Sequence, residues 1–173
     1  MSADWKLENF YHTVVNVRNL DESIAFYRLL GFEVLNDRRN VDWPDFVAGI
    51  FGMTKAKGRG VLMVLPSDPN GPMIDLIEWL EPRAEFPDPA RAPQTVPRIL
   101  AFRTHNVRAA YAALSAAGVR FMRDVFVPKE DLGLVGSVCC HDPNGNLIEL
   151  IELQPGVRHS RANEALLPKA AGA

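Results

Sequence analysis

Two segments carry apolar residues at helical spacing, and the same residue types bracket each. Leu20, Ile24, Tyr27 and Leu30, with Phe26 alongside, fall on one helical face between Asn19 and Gly31. Val107, Ala110 or Tyr111, Leu114 and Ala117 do the same between Asn106 and Gly118. Asn caps a helix because its side-chain oxygen accepts a first-turn N–H that has no partner inside the helix. Gly stops one because it enters the left-handed conformation at no steric cost. Both segments are predicted helices. Each runs into a short strand-like stretch, Phe32-Glu33-Val34-Leu35 and Val119-Arg120-Phe121-Met122.

A second pattern also occurs twice. Asp68-Pro69-Asn70-Gly71 leads into the run Pro72–Leu80, and Asp142-Pro143-Asn144-Gly145 leads into Asn146–Leu153. The tetrapeptide predicts a turn: Asp caps it, Pro presets φ, and Gly permits the exit. Each run interleaves carboxylates among apolar residues, as in a strand buried on both faces except at chosen points.

The turns and their strands repeat at an offset of 74 residues, the helix caps and stops at 87. The chain is thus one unit written twice, with 13 extra residues in the first copy. The insertion is expected within 40–59, which holds Trp43, Phe46 and Phe51; a loop of that size is more often functional than idle. Five prolines in 81–97 predict an extended linker. Each module reads as β-α-β-β-β, and the fold class as α+β: tandem modules forming a half-closed, eight-stranded curved sheet with helices outside and a concave site within. The expected domain spans 8–155, with modules 8–82 and 97–155. The tail 156–173 follows, with a short helix around 162–167 as one outcome.

Composition narrows the function classes. Apolar residues make up 47%, charged residues 23%, and the formal net charge is −2. A chain of 173 residues with that balance fits one globular domain, with no basic surface for nucleic acid. No apolar run reaches the roughly 20 residues of a membrane helix, and the start of the chain lacks a signal-peptide pattern. The two cysteines, Cys139 and Cys140, are adjacent, so in a strand they point to opposite faces and are poorly placed to bond to each other. A reducing compartment, the cytoplasm, is expected.

Tyr11-His12-Thr13-Val14-Val15-Asn16-Val17-Arg18-Asn19-Leu20, the helix end Phe26-Tyr27-Arg28-Leu29-Leu30-Gly31-Phe32 and Asp142-Pro143-Asn144-Gly145-Asn146-Leu147-Ile148-Glu149-Leu150 together resemble the vicinal oxygen chelate superfamily. The resemblance covers about residues 9–153. It implies a glyoxalase-like fold, but activities as different as glyoxalase I, methylmalonyl-CoA epimerase, extradiol dioxygenase, fosfomycin resistance and bleomycin sequestration share it. Metal-using members place one ligand on the first and one on the last strand of each module. Those positions hold His12 and Asp75 in the first module, Ile99 and Glu149 in the second. Ile99 cannot ligate a metal.

The ligand set implied by the resemblance is therefore His12, Asp75 and Glu149, suited to Zn, Ni, Mn, Co, Fe or Mg. The leading expectation is a metal-dependent lyase or isomerase, lactoylglutathione-lyase-like or epimerase-like. A metal would stabilise an enediolate, and Glu149 would move the proton beside the carbonyl. The alternative is a non-catalytic protein of the bleomycin-resistance type that sequesters a small aromatic or peptide-like ligand; Ile99 favours it. An extradiol dioxygenase fits less well, because neither His105 nor His141 occupies a matching strand position. Asp75, inside an apolar run, needs a partner, metal or His12. Strand parity adds Asn16, Arg103 and Trp79 to the substrate-binding candidates, beside Ile99 and, from the insertion, Trp43 and Phe46. Glu78 and Glu152, of opposite parity, are expected to face away. A homodimer is expected, since a half-closed sheet has exposed edges.

Overall fold

A computed structural model describes residues 9–86, 98–129 and 131–157. The chain divides into two compact units, Met1–Phe86 and Pro87–Ala173, and the division falls inside the proline-rich stretch. The expected extended linker over 87–97 and the tail helix around 162–167 lie outside the described residues.

Unit 1 runs β1 (His12–Asn16), α1 (Leu20–Leu29), β2 (Glu33–Asp37), α2 (Phe46–Ile50), β3 (Lys57–Val64) and β4 (Met73–Glu81). Its sheet order is β1-β4-β3-β2. β1 lies parallel to β4, with His12 opposite Met73 and Val14 opposite Asp75. β3 lies antiparallel to both neighbours. One sheet face is the core: Val15, Val17, Val61, Met63, Ile74 and Leu76 are buried, as are Leu20, Ile24 and Tyr27 of α1. The helix stripe read from the sequence is thus the buried one, although Leu30 is only half-buried. Asn19 caps α1 by accepting the Glu22 N–H at 3.1 Å, and Gly31 ends the turn at φ 91°.

Unit 2 runs β5 (Ile99–Arg103), α3 (Val107–Ala116), β6 (Leu134–His141) and β7 (Leu147–Leu153), with sheet order β5-β7-β6. The parallel register sets Ala101 opposite Glu149 and Arg103 opposite Ile151. Its core face holds Val138, Cys140, Ile148 and Leu150 against Val107 and Leu114. Asn106 caps α3 by accepting the Ala109 N–H at 2.9 Å, and Gly118 sits at φ 89°.

The α+β class and the doubled order of elements hold, but the described strands number four and three. The stretch 119–122, expected as a strand, forms no ladder. Two isolated bridges take its place, Phe121 with Cys140 and Phe126 with Ser137. From Phe121 to Phe126 is five positions but from Ser137 to Cys140 only three, so two extra residues bulge out and regular pairing is lost.

The two D-P-N-G turns also differ. Asp142 is buried and accepts N–H groups from Asn144 and Asn146, at 2.8 and 2.9 Å. Gly145 leaves that turn at φ 85°. The first turn is exposed at Asp68–Asn70. Gly71 is absent from the left-handed region, so the expected glycine exit operates only in the second copy.

Candidate functional site

In unit 1 the face opposite α1 carries His12, Val14 and Asn16 from β1, Asp75, Ile77 and Trp79 from β4, and Gly58, Gly60 and Leu62 from β3. The alternation of a strand and the cross-strand registers place them together. Four of the sequence-nominated residues, His12, Asn16, Asp75 and Trp79, therefore share one surface. Asn16 and Trp79 are bonded to each other: the Trp79 Nε1–H donates to Asn16 Oδ1 at 2.9 Å.

The insertion supplies the next layer. Trp43 meets Trp79 edge-on, ring centroids 5.2 Å apart at 77°. Phe51 approaches the same indole at 6.1 Å and 73°. Both arrangements suit the aromatic quadrupole. Gly58 makes them possible, since a Cβ there would lie 2.8 Å from two Trp43 ring carbons. Phe46 does not join; it stands on α2 with 66% of its surface exposed. A five-residue helix buries only Ala48 and turns Phe46 and Ile50 outward.

Asp75 is 6% exposed, and its partner is Arg38, which the sequence reading did not name. The Arg38 Nη2 donates to Asp75 Oδ1. Arg38 follows the last residue of β2, and its backbone N–H donates to Gly60 O at 2.9 Å. Its neighbours Asp37 and Arg39 pair with each other, and Arg39 also donates to Asp21 of α1, on the opposite face, so alternation sends Arg38 toward Asp75. A short polar periodicity at 37–39 was the available signal. The His12 Nδ1 and the Arg38 Nε are buried without hydrogen-bond partners.

Glu78 and Glu152 do face away, and they have a task. Glu78 Oε2 accepts the Leu20 N–H at 3.2 Å and Glu152 Oε2 the Val107 N–H at 2.8 Å, each at the first turn of its unit's helix. The pairs are repeat equivalents.

In unit 2, Glu149 shares a half-exposed face with Ile99, Ala101, Arg103, Ser137 and Cys139. The Ser137 hydroxyl donates to Glu149 Oε1 at 2.9 Å. Ile99 is 54% exposed, and Arg103 is exposed as well. Both cysteines are free. Burial pushes the Cys140 thiol up to about 11, and burial followed by the Glu149 charge raises Cys139. Neither is poised as a thiolate nucleophile.

Within unit 1, His12 and Asp75 by themselves fit a divalent metal poorly. Within neither unit do three His, Cys, Asp or Glu side chains come together among the described residues. Within unit 1, Asp75 already holds a guanidinium. Two open depressions in unit 1, about 630 and 530 Å³, lie elsewhere, one along Phe10, Leu35 and Met73 and one along Met53, Lys55 and Pro82. None of the residues nominated from the sequence lines either depression, so the Arg38–Trp79 surface is the candidate. Among the described residues no helix is long and apolar enough to cross a membrane.

Comparison with known proteins gives a consistent picture. The sequence profile of the Glyoxalase/Bleomycin resistance protein/Dioxygenase superfamily matches residues 9–150. Among solved structures, a glyoxalase family protein from Bacillus cereus aligns with TM-score 0.71 at 22% identity, over 89% of this chain and 99% of that one. A trypanothione-dependent glyoxalase I from Leishmania major aligns with TM-score 0.56 at 20% identity, over 84% and 87%. An antibiotic binding protein from a Streptomyces species aligns with TM-score 0.58 at 20% identity, over 87% and 99%. At such identities the likeness is one of fold. No curated protein sequence matches the chain.

Proposed function

Because the chain belongs to the Glyoxalase/Bleomycin resistance protein/Dioxygenase superfamily, we propose that it is a non-catalytic small-molecule binding protein that sequesters a small aromatic or peptide-like ligand. This reverses the order of the two sequence expectations. One observation carries the reversal: the buried carboxylate of Asp75 is already engaged by Arg38, beside an indole wall of Trp43 and Trp79. Aromatic faces give large contact area with little conformational entropy to lose. Asn16 holds the Trp79 ring in place through its N–H. Ile99, exposed on its own sheet, is an apolar contact rather than a ligand to metal. Arg103 offers a fork for an acidic group on the ligand. Phe46, exposed on α2, is a candidate rim residue. The free cysteines support a reducing compartment, the cytoplasm.

The test is a tryptophan-fluorescence titration of chelator-treated protein with a bleomycin-type glycopeptide and a panel of planar aromatic compounds. Saturable quenching without added metal is expected for at least one compound. Affinity should fall tenfold or more in Trp79→Ala, on the order of 1.4 kcal/mol. Quenching by none of them, together with metal-dependent isomerisation of a methylglyoxal–glutathione hemithioacetal, would overturn the proposal.

That second outcome is the metal-dependent lyase or isomerase. The partnerless His12 Nδ1, on the same face as Asp75, favours it. It requires His12, Asp75 and Glu149 as ligands and Glu149 as the base, and the Arg38 hydrogen bond to Asp75 opposes it.

A further inference from the structure

Asp75 stands where the family resemblance places a metal ligand, and its carboxylate points into a nearly closed environment. A carboxylate so placed needs a proton, a metal or a cationic side chain. The fold of unit 1 delivers the last of these by three features. Strand alternation turns Arg38 to this face while Asp37 and Arg39 pair on the other. The Arg38 N–H to Gly60 O bond fixes its backbone at the edge of β3. Gly60 lies directly under the crossing from β2 over β3 to β4; a Cβ there would be in ordinary contact, 3.5 Å from Arg38 Nη2 and 3.8 Å from Asp75 Oδ1, so only a larger side chain would obstruct it. The Arg38 side chain keeps 37% exposure while Asp75 is closed in, so the guanidinium covers the carboxylate on its solvent side.

We propose that Arg38 is the resident cation of this site: it occupies, on Asp75, the place that the resemblance reserves for a divalent metal, and so excludes such a metal from the wild-type chain. A divalent ion on Asp75 would have to displace the guanidinium or sit beside it, and like charges at that separation repel strongly away from bulk water. Arg is suited to the role because it stays protonated at any working pH. The inference is independent of which small molecule the protein binds.

The experiment titrates Mn²⁺, Ni²⁺ and Zn²⁺ separately into the chelator-stripped full chain, reading heat and melting temperature. The variants are Asp75→Asn, Arg38→Lys, Arg38→Gln and the double variant Arg38→Gln/Asp75→Asn. Wild type and Asp75→Asn should respond alike, showing no metal binding that depends on Asp75. Arg38→Lys keeps the cation and should match wild type. Arg38→Gln frees Asp75 beside His12 and should gain a metal-induced rise in melting temperature, lost again in the double variant. Metal binding by wild type that weakens tenfold or more in Asp75→Asn would overturn the proposal, as would a folded Arg38→Gln that gains no metal response. Should Arg38→Gln fail to fold, the comparison of wild type with Asp75→Asn decides alone. No small-molecule ligand enters the readout, so loss of the sequestration proposal leaves this result unaffected.

Discussion

Gly58 shows how one residue's missing side chain shapes the surface beside it. Trp43 lies against the bare backbone of β3 there, and the carbonyl of Glu78 is 3.1 Å from where a Cβ would stand. Gly58→Ala is expected to push the indole off β3 and lower stability by about 1–3 kcal/mol, the usual cost of overpacking. Chemical denaturation with near-ultraviolet circular dichroism checks both parts: a lower midpoint and a changed tryptophan signal. An unchanged midpoint would mean that Trp43 is not seated on β3. Asp75 makes a related point. That it needs a partner was legible from its apolar surroundings; which partner was not, because Arg38 lies 37 positions away and reaches it only across an intervening strand.

At the scale of elements, α1 and α3 are each tied to their own sheet by a carboxylate from the last described strand of the unit. Glu78→Gln and Glu152→Gln remove the charge that faces the positive end of α1 and α3. Each is expected to cost about 1 kcal/mol, the scale of a lost helix cap, with Glu78→Gln the larger because it also loosens Arg59, whose Nη1 donates to the same oxygen at 3.1 Å. Equilibrium urea unfolding of both variants measures the two losses. The polar cluster flanking α1 predicts a pH effect. The Arg39 guanidinium holds the Asp21 and Asp37 carboxyls below the usual carboxylate value. Groups depressed in the folded state contribute stability above their unfolded pKa and lose it as pH falls through the folded one. Arg39→Gln should therefore lower the melting temperature slightly at pH 7 and hardly at all at pH 2, flattening the acid limb below about pH 4. The effect should be small and should shrink with added salt, since these groups are exposed. Thermal melts across that range at low ionic strength test it; parallel curves for the two proteins would refute it.

At the scale of the whole molecule, we propose a homodimer. Large apolar side chains stay exposed within each unit: Phe10 at 67%, Leu35 at 60% and Ile99 at 54%. Such side chains are costly to leave wet when they gather in patches. Light scattering coupled to size exclusion is expected to give twice the monomer mass, and Leu35→Glu or Ile99→Glu to reduce it. A monomer mass for the wild type at micromolar concentration would refute the assembly.

Sequence alone determined what is local or repeated. Caps, glycine stops and apolar stripes specify α1 and α3 because helix formation depends on neighbours within a few positions, and the doubled pattern set the order of elements. The outward parity of Glu78 and Glu152 followed from the alternation of a strand. Tertiary structure decided what depends on register and packing between elements distant in sequence. It broke up the strand expected at 119–122, because a two-residue slip against β6 leaves only single bridges. It separated Phe46 from Trp43 and Phe51, because α2 has only Ala48 to bury. It paired Asp75 with Arg38, because only the assembled order of β2, β3 and β4, with a small residue at position 60, lets a guanidinium lie across one strand to reach the next.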